Sequence, residues 1–168
     1  GCTLTATVVV PNAASPTVVI SSTTNVSCFG GSNGSASVTA SGGNAPYSYA
    51  LTPSGGTNAG ATGLSANTYT CTVTDANGCI TSTTVTITEP LLLTITAANT
   101  GNVLCNGGNT GSASSASSGG TPAYTFLWTP SGQTGQNATG LSAGNYIVVI
   151  TDANGCTASA TVTIIQPP

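Results

Sequence analysis

The sequence predicts an all-β protein made of two small tandem β-sandwiches, and three observations carry that prediction. Apolar and polar residues alternate with a period of two, as in Tyr69, Cys71 and Val73 against Thr70, Thr72 and Thr74. Clusters of Gly and Asn interrupt these runs at 30–34, 42–44, 55–60, 107–111, 119–121 and 132–137, where turns are expected. The chain also repeats itself: Gly1-Cys2, Gly78-Cys79 and Gly155-Cys156 are spaced by 77 residues, and so are Cys28 and Cys105.

Longer segments follow the same period. Thr74-Asp75-Ala76-Asn77-Gly78-Cys79 recurs unchanged as Thr151-Asp152-Ala153-Asn154-Gly155-Cys156, Gly63-Leu64-Ser65-Ala66 as Gly140-Leu141-Ser142-Ala143, and Thr52-Pro53-Ser54-Gly55 as Thr129-Pro130-Ser131-Gly132. Residues 1–13 match the end of a repeat, so they are expected to be the terminal strand of a preceding one. Complete sandwiches follow at 14–90 and 91–168. With no start Met and no signal segment in view, the expectation is a mature piece of a longer array.

Within the second repeat, strands are expected in order at 94–98, 112–118, 123–129, 137–141, 145–151 and 157–165. The third carries Tyr124, Phe126 and Trp128 on one face, matching Tyr47, Tyr49 and Leu51 of the first repeat, and such alternation reads as a core strand in preference to a stacking surface. The fifth presents Tyr146, Val148 and Ile150, and the sixth presents Val162 and Ile164 where the first repeat has Val85 and Ile87. Between the last two strands, Asp75, Asn77 and Gly78, matched by Asp152, Asn154 and Gly155, form a hairpin turn. The Asp accepts from the turn backbone and the Gly takes positive φ. Tyr69, shortly after Leu64-Ser65-Ala66, stands where sandwiches often place a corner tyrosine.

Composition excludes most chemistry. The 168 residues include no Lys, Arg, His or Met, and Asp75, Glu89 and Asp152 are the only charged side chains. A net charge of −3 cannot neutralise phosphates, which argues against nucleic acid and anionic membrane surfaces. The commonest general base, the Schiff-base amine and imidazole metal ligands are all missing, so neither an enzyme nor a bound cofactor is expected. Apolar residues make up 39% of the chain and mean hydropathy is positive, which favours folding over disorder. The longest apolar runs, Val8–Val10, Leu91–Leu93 and Ile147–Ile150, fall far short of the roughly 18 residues of a membrane span.

Asp75 and Asp152 each stand alone in sequence, whereas hard cations usually take several carboxylates, so the turn role is preferred and no metal is expected. Glu89 becomes Gln166 in the next repeat and reads as a solvated strand end with no repeated role. Asn25, Asn33 and Asn137 begin glycosylation-type tripeptides that their counterparts lack, as chance produces in so Asn- and Thr-rich a chain.

Of the six cysteines, Cys71 has Val148 as its counterpart and reads as a buried free thiol. Pairing within a repeat joins Cys28 to Cys79 and Cys105 to Cys156, and leaves Cys2 for a partner in the preceding repeat. Pairing across the linker joins Cys2 to Cys28 and Cys79 to Cys105. A third scheme joins Cys28 to Cys156 and so binds one repeat to the next. With a single strand between Ser131 and Gly144, four strands intervene and both Cys sites lie at one end, which favours pairing within the repeat. With two strands there, the sites lie at opposite ends and the bond must reach a neighbour. Zinc is disfavoured, since there is neither a Cys-x-x-Cys nor a His.

The ordered series Val26-Ser27-Cys28-Phe29-Gly30-Gly31-Ser32-Asn33-Gly34-Ser35, Ser41-Gly42-Gly43 with Pro46-Tyr47-Ser48-Tyr49, Gly63–Ala66 with Tyr69, Thr74–Cys79 and Thr86–Pro90 resembles the SprB-type repeat of Bacteroidetes cell-surface (gliding-motility) adhesins. The second repeat departs from it at Asn102–Asn106, which lacks the aromatic after Cys, and at Ser114–Ser118, which lacks β-branched residues. The resemblance implies an extracellular, disulfide-stabilised stalk or filament unit with an Ig-like or PKD-like sandwich. Its partners would be neighbouring repeats of the same chain or identical subunits in a fibre. The alternative is a carbohydrate-binding module that stacks surface glycans on exposed aromatics such as Trp128 and the Tyr pairs.

Overall fold

The alternating runs form twelve strands in the computed structural model, which describes residues 1–8 and 14–168. The first six are β1 (Pro16–Thr24), β2 (Gly34–Gly42), β3 (Ser48–Thr52), β4 (Gly60–Leu64), β5 (Asn67–Thr74) and β6 (Ile80–Ile87). They are followed by β7 (Thr94–Gly101), β8 (Gly111–Ser118), β9 (Thr125–Thr129), β10 (Asn137–Leu141), β11 (Gly144–Thr151) and β12 (Thr157–Ile164). The chain divides into two units, the first comprising Gly1–Asn25 and Asn33–Ile87, the second Val26–Ser32 and Thr88–Pro168. The boundary thus falls three residues earlier than the repeat pattern suggests. Residues 26–32, which leave β1, belong to the second unit.

Each unit holds two antiparallel three-stranded sheets: β1-β2-β4 and β3-β5-β6 in the first, β7-β8-β10 and β9-β11-β12 in the second. In the second unit Ala113 and Ala138 of one sheet meet Trp128, Tyr146, Val148 and Ile164 of the other in a single core cluster, with Val103 and Leu141 closing it. The first unit buries the same positions with Ala36, Ala61, Leu51, Tyr69, Cys71, Ile87 and Leu64. Small residues on one sheet make room for large ones on the other. At Gly111 a Cβ would lie 2.6 Å from Ile164 Cγ2 and 2.7 Å from the Leu141 carbonyl.

Strand β8 forms in full even though it lacks β-branched residues. Ser115, which replaces the buried Val38, is itself buried. Its hydroxyl donates to the Gln136 carbonyl at 2.8 Å, and the Gln136 side chain returns a bond to the Ser115 carbonyl at 2.9 Å. A buried hydroxyl without those partners would be costly. Residues 1–8 are exposed and belong to no strand, because a strand needs ladder partners and a buried face to persist. The rest of the terminal strand expected at 1–13 lies outside the described residues.

Strand direction decides where the cysteines stand. In the second unit β8 runs antiparallel to β7 and β10, and β11 runs antiparallel to β9 and β12. The loop after β8 is bonded to the β11–β12 turn through Thr121 and Asp152, so β9 and β10 both run away from that end. The connection 130–136 carries the chain back without a strand of its own. The Val103 N–H donates to the Ile165 carbonyl at 2.9 Å, which sets the Cys105 loop at the far end of β12. Cys156 stands at its near end, and the eight residues between them span about 26 Å at ~3.3 Å each.

Cys71 is buried and packs at the position of the equally buried Val148. Cys71→Val should therefore change stability by less than about 1.5 kcal/mol, the range of volume-conserving core swaps. Denaturant midpoints of the two proteins check it.

Candidate functional site

The turn after β11 is built around one carboxylate. The Asp152 N–H donates to the Cys156 carbonyl and the Gly155 N–H to the Asp152 carbonyl, both at 3.0 Å, with Gly155 at φ 83°. Asp152 Oδ1 accepts from the N–H groups of Asn154 and Cys156, each at 2.9 Å, while Oδ2 accepts from Thr121 N–H at 2.8 Å in the β8–β9 loop. The Ala153 N–H returns a bond to the Thr121 carbonyl at 2.9 Å. Asp75 repeats the arrangement with Asn77 at 2.9 Å, Cys79 at 2.8 Å and Asn44 at 3.0 Å. Both carboxylates are only 5% exposed. The backbone N–H of Asn44 holds the Asp75 pKa below its ordinary value. That of Thr121 does the same for Asp152, and the turn amides reinforce both against the opposing effect of desolvation.

The turn role read from sequence is thus extended: each Asp also ties its hairpin to a loop 31 residues away in sequence. That second bond explains Gly43 and Gly120, at φ 61° and 63°, where a Cβ would stand 2.7 and 2.8 Å from the carboxylate oxygen. Toward the carboxylates Asn44 and Thr121 act through their backbone N–H groups, so no side-chain signal reveals that bond.

The disulfide joins Cys28 to Cys156, with Cα atoms 5.8 Å apart, inside the second unit. It carries the loop of one sequence repeat to the hairpin turn of the next. The Asn154 side-chain amide donates to the Ser27 carbonyl at 2.9 Å and to Thr121 Oγ1 at 3.0 Å, so the aspartate turn also presents the loop's binding group. A cleft beside the bond is lined by Phe29, Leu92, Leu93 and Thr157.

Pairing within a repeat does not occur: Cys79 and Cys105 are free thiols, as is the exposed Cys2. A single strand, β10, lies between Ser131 and Gly144 as the alternation predicts, but it does not bring both Cys sites to one end, because β9 and β10 run in the same direction. Cys105 and Cys156 therefore sit at opposite ends of their sandwich. Cys71 is a buried free thiol whose pKa is raised by desolvation.

Glu89 does have a repeated role, contrary to its reading as a solvated strand end. Its Oε2 accepts from Gly30 N–H at 2.5 Å, and Gln166 Oε1 accepts from Gly107 N–H at 3.0 Å. An acceptor oxygen is what the two positions share, and the Glu-to-Gln replacement preserves it.

The tryptophan and four of the five tyrosines are used internally, while Phe29 stands half exposed. Trp128 is fully buried and its indole N–H donates to the Gly135 carbonyl at 2.9 Å. Tyr69 and Tyr146 donate to the carbonyls of Ser65 and Ser142 at 3.0 and 3.1 Å, the geometry of a tyrosine corner. Tyr47 and Tyr124 close the preceding loops through the Gly42 and Gly119 carbonyls. Among the described residues there is no group of three or more metal-ligating side chains.

The fold and these internal fastenings define a class of tandem Ig-like β-sandwich modules. Residues 20–56 and 97–133 match the SprB repeat. No curated protein sequence matches the chain. Among solved structures, the three N-terminal domains of the highly immunogenic outer capsid protein of bacteriophage RB49 align at TM-score 0.50 with 16% identity, covering 92% of this chain and 59% of that one. The N-terminal eight Ig domains of the Down syndrome cell adhesion molecule align at TM-score 0.43 with 13% identity over 93% of this chain and 25% of that one. The chain therefore spans about three fifths of the first and a quarter of the second.

Asp152→Asn or Asp75→Asn replaces one accepting oxygen by a donor that faces a backbone N–H. Each should lower the thermal midpoint by more than Cys71→Val does. Because both carboxyl pKa values are depressed, their stabilisation is complete above the ordinary value of 3.8 and is lost as pH falls through the lowered one. Urea midpoints from pH 6 to pH 2 should show that acid limb in the parent chain, and the double Asn variant should have lost it.

Proposed function

We propose that the chain is a non-enzymatic structural segment of an extracellular adhesin or surface fibre, in which 77-residue Ig-like or PKD-like repeats set reach. One observation carries this reading: the internal fastenings repeat, whereas several exposed apolar positions do not. The aspartate turn, the two tyrosine closures and the Glu/Gln acceptor are duplicated, but Phe29 is replaced by Asn106, Ser27 by Leu104, Val19 by Thr96 and Ile80 by Thr157. An array of binding modules would keep a surface patch and let the scaffold drift. A disulfide suits the oxidising cell exterior. With Asp75 and Asp152 buried, Glu89 is the only charged side chain left near the surface, which disfavours polyanions as partners.

The glycan-binding alternative loses its principal residue, since a fully buried Trp128 has no face to offer a sugar. Removing whole repeats from the parent protein should shorten its surface fibre in proportion, by roughly 25–35 Å each if strand length sets the spacing. Electron microscopy measures this. Trp128→Ala should cost about 3–5 kcal/mol of stability, as for a large core truncation. Glycan-array binding by the two-repeat chain should be absent; saturable binding abolished by that substitution in a still-folded protein would support the alternative instead.

A further inference from the structure

The Cys28–Cys156 bond short-circuits 128 residues of chain by a step of 5.8 Å between Cα atoms. Strands β2 to β11 lie between the two cysteines in sequence, with β1 before them and β12 after. Cys28 follows the last residue of β1 by four positions, and Cys156 immediately precedes β12. A pull on the two ends of the chain therefore has a covalent route that runs along β1, across the two sulfurs and along β12. Each of those strands is drawn from its own two ends, so the ladders that join β1 to β2 and β12 to β11 are neither peeled nor sheared. The route has little slack, because an extended strand already spans ~3.3 Å per residue against a limit of ~3.6 Å. The loop is also seated by hydrogen bonds: Val26 N–H donates to the Thr88 carbonyl at 2.9 Å, Gly30 N–H to Glu89 at 2.5 Å, and the Asn154 amide to the Ser27 carbonyl at 2.9 Å. These keep the loop against the turn on both sides of the sulfurs.

We propose that this disulfide is a tension bypass, which carries mechanical load past both sandwiches so that the chain keeps its folded length when pulled. The proposal rests on the stalk reading for its use and adds a property that reading does not require, since a spacer can set reach at rest and still unravel under force. Without the bond, tension passes through both units in series by way of the connection 88–93, and forced unfolding of each is governed by its own unfolding rate. Extension of the enclosed residues would then lengthen the chain by about 420–460 Å, at ~3.3–3.6 Å per residue. With the bond in place, none of that length is released until the sulfur–sulfur link is broken. The loop and the turn recur at the 77-residue period, so the same pairing carried along an array joins each loop to the turn of the next repeat. Successive bypasses overlap, and the last strand of one repeat with the first of the next, as β6 and β7 here, links one to another.

The test stretches the full chain in optical tweezers through non-thiol tags at its two ends, with Cys2→Ser, Cys79→Ser and Cys105→Ser so that Cys28–Cys156 is the bond examined. Intact mass without reductant should show that bond formed. A force ramp on this oxidised chain should give no extension step above about 50 Å, the length of roughly fifteen residues at ~3.3 Å each. Dithiothreitol added at constant force opens the bond by two exchanges, which leave both cysteines as thiols and the reagent as its cyclic disulfide. The chain should then gain about 420–460 Å of contour. Adding Cys28→Ser and Cys156→Ser should let the chain unfold in large steps with no reductant present. The reductant experiment needs neither of those two substitutions, so it decides the matter even where that variant does not fold. The proposal is overturned if the oxidised chain unfolds in large steps before reductant is added, if reductant releases no length, or if the folded chain lacks the bond. Each of those outcomes leaves resting fibre length per repeat, which tests the stalk reading, unaffected.

Discussion

A buried carboxylate with no cation to pair with is the constraint around which each sandwich is organised. In a chain without Lys, Arg or His, Asp75 and Asp152 can be compensated only by N–H dipoles, and each collects three from the backbone. Two come from its own turn and one from a loop distant in sequence. Meeting that demand fixes the hairpin, forces glycine at 43 and 120, and closes one end of the sandwich. The depressed pKa of both groups is the electrostatic expression of the same arrangement.

The disulfide depends on the turn that the aspartate makes. Cys156 N–H is one of the donors to Asp152, and Asn154, another, sends its side chain to the Ser27 carbonyl beside Cys28. The turn thus places the sulfur and a hydrogen-bonding group together on one end of the sandwich. Cys28 and Cys156 are 128 residues apart in sequence, so the bond removes much of the freedom of the unfolded chain, about 4–5 kcal/mol in the chain-entropy description. Small domains whose cores are partly Ala, Ser and Gly gain most from such help.

Polarity follows from the single strand-free return between β9 and β10. It puts the loop cysteine at one end of the unit and the turn cysteine at the other, so the chemistry of each repeat points outward along its strands. The internal fastenings are copied from repeat to repeat, while exposed apolar positions such as Phe29 and Ile80 are not.

Sequence alone determined much of this protein. Its period of two specified the strands, and β10 falls at 137–141 as the alternation indicates. The turn Asp, the corner Tyr69 and the buried Cys71 were legible because each depends on neighbours within a few residues or on one strand face. Tertiary structure alone decided the rest. The partner of Cys28 depends on strand direction, which alternation does not encode. The third bond to each Asp comes from a backbone N–H, which any residue at 44 or 121 other than proline supplies. Trp128 was legible as core from its strand face, and only the structure shows that its indole N–H meets the Gly135 carbonyl. Local periodicity determines which face a side chain takes, and only the path of the chain determines what that face meets.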